Sequence, residues 1–166
     1  MNMSIAVLSS LLITSVALPR SASIIDVPSE RRDSGISIGN VKVLFTDGHT
    51  EMWTKLGRAE MPKVAKSGLV GWVTFTQRNG RGWAVTDTLR ICWPDGNHKD
   101  FTTEAFPFIE NWDFADNDTT VIIKSRGSHG PAEFLKYRLA DGKVLGEAYG
   151  GPGHELPAWA KPYEDH

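Results

Sequence analysis

The chain has 166 residues, with 18 Lys and Arg against 20 Asp and Glu, a net charge of −2. That balance argues against a nucleic-acid binder, which needs a concentrated basic footprint. Cys92 is the only cysteine, so no disulfide can form within the chain and its stability must come from its core.

Residues 1–23 read as a signal peptide. After "MNMS" an apolar run extends from Ile5 to Leu18, too short to span a bilayer as a helix. "PRSAS" follows, with small residues at Ser21 and Ser23, so cleavage is expected after Ser23. The n-region has no Lys or Arg, which leaves the amino terminus as its only positive charge. Export places the protein in the periplasm of a Gram-negative cell or outside the cell, with membrane contact only during passage. Cleavage removes Arg20 and no acid, which leaves residues 24–166 at −3. A domain of that length buries about two-thirds of its unfolded surface. Residues 24–40, largely "DVPSERRDSGISIGN", are polar and expected to form a flexible arm.

From residue 41 the pattern is a repeat. Asp-Gly occurs at 47–48, 95–96 and 141–142, each after an alternating run: "VKVLFT", "LRICWP", "FLKYRLA". Asp-Gly between such runs signals a hairpin, because both residues tolerate positive φ. Two, four and six residues before each Asp stand Phe45, Val43 and Val41; Trp93, Ile91 and Leu89; Leu139, Tyr137 and Leu135. All are apolar, whereas Lys42, Arg90 and Lys136 occupy the intervening fifth position. Side chains alternate faces along a strand, so the first set points to a core and the second outward. After the turn, Trp53 and Phe101 fall at equivalent places, while the third copy departs with Val144 and Leu145 arriving earlier.

A second hairpin type lies between these. "PKVAKSGLVGWV" matches "WDFADNDTTVII", with Ser67-Gly68 and Asn117-Asp118 as turns. The chain is therefore expected to be all-β, with about ten short antiparallel strands over residues 41–149 and no convincing helical period. Residues 150–166, rich in Gly and Pro, are expected to cap the domain, with Trp159 as anchor.

"FIENWDFADNDTTVII", followed by "LKYRLADGKVL", resembles the TolB-type or WD40-like β-propeller blade. The likeness covers roughly residues 41–149. It implies two and a half blades, packed as an open propeller fragment or a sandwich, since rings need at least four. Unpaired edges would then open a route to homo-oligomers. "LFTDGHTEMWT", "GLVGW", "SRGSHGP" and "PAWAKPY" also resemble small exported bacterial proteins, a likeness that carries no activity. Some small periplasmic immunity proteins look like propeller fragments, which points to binding an envelope or secreted protein.

Candidate site residues fall in two loops. "SRGSHGP" displays Arg126, Ser128 and His129 between glycines and Pro131. "RNGRGWAVTD" carries Arg81 and Trp83, residue types over-represented among interface hot spots. A hydrolase using Ser125 or Ser128 with His129 is the enzymatic rival. Neighbouring side chains point to opposite faces and Gly127 directly precedes Ser128, so neither a triad nor a nucleophile elbow is indicated. In the loop, Arg126 and His129 equally suit bonds to backbone carbonyls or a carboxylate. No His pair has metal-ligand spacing, and "DFADND" lacks the Gly and distal Glu of a calcium loop. The reading is a non-enzymatic binding module without metal or cofactor.

Overall fold

The computed structural model describes residues 17–26, 39–74, 77–78, 84–103, 106–127 and 129–164. The chain is all-β, and every paired strand is antiparallel. In order the strands are β1 (Pro19–Asp26), β2 (Gly39–Phe45), β3 (Thr50–Met52), β4 (Ala59–Val64), β5 (Val70–Thr74), β6 (Gln77–Arg78) and β7 (Ala84–Val85). They continue as β8 (Thr88–Cys92), β9 (His98–Thr102), β10 (Phe108–Ala115), β11 (Thr120–Arg126), β12 (Ala132–Arg138) and β13 (Val144–Tyr149).

Sheet I runs β1-β2-β4-β5-β8-β9, with β3 also paired to β2. Sheet II is the meander β10-β11-β12-β13, and β6 and β7 form a separate ribbon. The sheets do not close into a barrel. All five expected hairpins are present: β2–β3, β4–β5, β8–β9, β10–β11 and β12–β13. The ribbon and β1 are additions, both in stretches too polar or too short to announce a strand. Ile24–Asp26 of the expected arm belong to β1 and Gly39 and Asn40 to β2, whereas residues 27–38 lie outside the described residues.

The turn chemistry differs from the expected one. Only the glycines take positive φ, at 90° for Gly48, 87° for Gly96 and 77° for Gly142. Each aspartate instead accepts the backbone N–H two residues on: Asp47 from His49 at 3.1 Å, Asp95 from Asn97 at 3.0 Å, Asp141 from Lys143 at 3.1 Å. These are Asx turns, in which the carboxylate satisfies a donor the ladder leaves open. In the first two copies the closing bond joins Phe45 N to His49 O and Trp93 N to Asn97 O. In the third, Arg138 N reaches Lys143 O around one more residue, which accounts for its departure from the repeat.

The β10–β11 turn solves the same problem with three successive left-handed residues, Asp116, Asn117 and Asp118, at φ of 50–63°. Asn and Asp tolerate that region better than other residues with a side chain. Asp118 also accepts the N–H of Ser67 at 2.9 Å, which ties this turn to the β4–β5 turn of sheet I.

The sheets share one core. Leu69, Val73, Leu89, Ile91 and Phe101 from the sheet I side meet Ile109, Trp112, Val121, Ile123 and Leu139. Trp112 is fully buried, and its indole N–H donates to the Met61 carbonyl at 2.9 Å. A second cluster on the other face of sheet I holds Val41, Val43, Phe45, Ala59, Val70 and Trp72, with Ala22 and Ile24 of β1 against it. The first repeat thus feeds a different core from the second and third, while all nine repeat positions are buried or partly buried. The third cluster forms where Leu156, Trp159, Ala160 and Tyr163 fold over Ala132, Phe134 and Ala148. The C-terminal segment therefore covers the outer face of sheet II.

Candidate functional site

The outer face of sheet II carries a cleft of about 460 Å³ between two walls. One wall is the β11–β12 connection, with Arg126, Gly130 and Pro131; the other is the tail, with Gly151, Pro152, His154 and Glu164. Ala132, Phe134 and Gly150 also line it. The walls are joined where Gly150 N donates to Ala132 O at 2.8 Å, just past the last β12–β13 pair.

Arg126 ends β11 and holds its own loop. Its Nε donates to Glu110 Oε1 at 2.7 Å, and a terminal nitrogen donates to the Gly130 carbonyl at 3.2 Å. Glu110 reaches it because it stands two residues past Phe108, the cross-strand partner of Arg126, and so shares its face of the sheet. Gly130 turns with φ 116°, a conformation that residues with a Cβ rarely adopt. Beneath the loop, the Lys124 side chain is only 6% exposed; its ammonium lies 3.7 Å from Glu110 and donates to the Glu164 carbonyl at 2.8 Å. Burying an ammonium costs several kcal/mol unless it is paired and hydrogen-bonded. The chain resolves this by bringing β10, β11 and the tail to one cation.

Of the sequence candidates, Arg126 lines the cleft and His129 is exposed on its loop. Ser128, Arg81 and Trp83 lie outside the described residues. Ser125 is fully buried and donates to Glu133 Oε2 at 3.3 Å, on the sheet face opposite Arg126. Tyr149 OH donates to Glu147 and lies 3.3 Å from Glu133. Burial raises the Glu133 carboxyl above its ordinary range, against the lowering effect of its bonds from Tyr149 and Ser125. The Tyr149 phenol is pushed up to about 12, chiefly by its bond to Glu147. This network occupies Ser125 away from the cleft, so it is not placed as a nucleophile there.

Sequence reasoning did not single out Glu110, Phe134, Pro152, His154 or Glu164 as site residues. Only the Gly-Pro-rich composition of "GGPGHELP" marked the tail wall, and nothing local marked Glu110.

A second cleft, of about 450 Å³, lies on sheet I beside Trp53 and Trp72, with Lys55, Arg58 and Arg90 among its lining. Arg90 is committed to a two-pronged bond with Asp100, both contacts at 2.7 Å, which holds the Asp100 carboxyl below its usual range. The nearby Cys92 thiol is half-buried and raised by burial to about 11, so it remains protonated near neutral pH. Among the described residues no three His, Cys, Asp or Glu side chains gather in a metal-holding group, and no helix is long and apolar enough to cross a membrane. The chain matches no family model, no curated protein and no solved structure.

Proposed function

We propose that the protein is an exported binding module of the periplasm or the exterior that recognises an envelope or secreted protein through the sheet II cleft, in the manner of an inhibitor or immunity protein. The observation that carries this reading is the pinned loop: Arg126 joins Glu110 to the Gly130 carbonyl, fixing one wall of a 460 Å³ cleft before any partner arrives. A loop ordered in advance avoids much of the entropic cost of association. The lining combines apolar surface at Pro131, Phe134 and Pro152 with charged or polar groups at Arg126, His154 and Glu164. That mixture suits an inserted apolar side chain of a partner loop, oriented by the polar rim. The blade-type resemblance agrees with this reading, since such folds carry recognition loops on hairpins.

The test is capture by the immobilised mature protein from the native envelope, beside a Pro152→Arg/His154→Ala variant. Both side chains are exposed, so circular dichroism should show an unchanged fold. One envelope protein retained by the wild type and bound at least about tenfold more weakly by the variant, or 1.4 kcal/mol, supports the reading. Equal retention by both, or no retained protein, rejects the cleft. A second reading, self-assembly, draws on Val144 and Leu145, exposed at 45% and 44% on the edge strand β13. A discrete oligomer that dissociates on dilution would mark that case.

A further inference from the structure

The fold bears on where the exported chain is cut. Two small-x-small sites follow the start of the apolar run, Ser15-x-Ala17 and Ser21-x-Ser23, and both fit signal cleavage. We infer that the leader is removed after Ala17, leaving Leu18 as the amino terminus. The inference rests on the export reading and fixes its product.

The second site lies inside β1. Cutting after Ser23 would remove the partners of Phe45, Leu44, Val43 and Lys42, leaving only Ile24–Asp26 against Val41, Asn40 and Gly39. It would also remove Leu18, whose carbonyl accepts Thr46 N at 2.9 Å and whose N–H donates to Thr46 Oγ1 at 3.2 Å. Pro19 is buried, and Ala22 packs against the second core cluster. The outer edge of β2 from Lys42 to Phe45 would then present unpaired N–H and C=O groups, the arrangement that invites pairing with foreign strands.

The first site leaves all of this intact. Ile5 to Ile13 supplies a nine-residue apolar h-region, within the ordinary range of about 7–15, before Thr14 to Ala17. Signal peptidase would add water across the Ala17–Leu18 peptide bond, hydroxyl to the Ala17 carbonyl carbon and proton to the Leu18 nitrogen. The amine so formed retains its donor to Thr46 Oγ1. Residues 1–17 carry no charged side chain, so the mature protein keeps the net charge of −2.

The experiment expresses residues 1–166 in a Gram-negative host and reads the terminus of the periplasmic protein by intact mass and N-terminal sequencing. Leu18 is expected. Ile24 overturns the inference while leaving export standing, and retained Met1 on cytoplasmic protein overturns both. Two variants locate the cut independently of fold stability. Ala17→Phe should accumulate precursor, because the enzyme requires a small residue there. Ser23→Phe, at an exposed position of β1, should be processed as the wild type. The reverse pattern refutes the assignment.

Discussion

Gly71 of β5 lies directly beneath the Trp112 ring, and replacing it with alanine should measure how tightly the two sheets fit. A Cβ at this position would stand 2.5 Å from Trp112 Cη2, 3.1 Å from Cζ2 and 2.5 Å from Ile91 Cδ1. Trp112 has little room to retreat: it is fully buried, bonded to the Met61 carbonyl, and packed edge-on against Phe114 at 5.1 Å between centroids. Overpacking of this kind costs about 1–3 kcal/mol. At about 2–4 °C per kcal/mol for a chain of this size, a 2 kcal/mol loss lowers Tm by about 4–8 °C. Trp112→Phe also destabilises, leaving the Met61 carbonyl without its donor at about 1–3 kcal/mol. The phenyl ring, however, lacks the outer atoms that collide with the added methyl. Gly71→Ala should therefore cost less in the Trp112→Phe background, with a coupling of about 1 kcal/mol or more by urea unfolding of all four proteins. Costs that add within about 0.5 kcal/mol would refute a glycine required by the tryptophan.

Glu60 is 6% exposed, and burial raises its carboxyl from 4.5 to about 7. Its stability contribution is complete below the unfolded-state value and lost as pH rises through about 7, worth about 3 kcal/mol at most. Glu60→Gln should accordingly gain on the wild type between pH 5 and pH 8 in urea unfolding; a constant difference between the two proteins would sink the assignment. Trp159 packs on the backbone of Gly146, where a Cβ would lie 2.9 Å from its ring. Trp159→Ala should cost about 2 kcal/mol, less than a fully buried tryptophan, and open residues 150–153 to limited proteolysis. Unchanged cleavage rates would show that the tail is held by other contacts.

The hairpins were legible because their causes are local. An aspartate that caps the N–H two residues on, and a glycine free to take positive φ, need nothing from the rest of the fold. The assignment of faces was legible for the same reason, since alternation follows from the pleat. β1 was not: "PRSASIID" has no strand signal of its own, and only the open edge of β2 and the apolar cluster beneath Ala22 and Ile24 make it a strand. Nor could the repeat show that Val41, Val43 and Phe45 serve a different core from Leu89 and Ile91. That division depends on which face of sheet I each strand presents.

The site was half legible for a related reason. Glycines and a proline mark the 125–131 stretch as a shaped loop, but the role of Arg126 was decided by a carboxylate on another strand, Glu110. Glu110, two residues past Phe108 on the neighbouring strand, converts the most conspicuous side chain of "SRGSHGP" from a displayed group into a strut. On the proposed binding reading, His129 on the loop and His154 on the facing tail, both exposed, are left to meet a partner beside it. Arg126→Ala would loosen the wall and remove a charge at once, so its effect on binding could not separate the two. Pro152 and His154 can be changed without disturbing the strut, which makes the tail, and not the loop that first draws attention, the sharper place to probe the cleft.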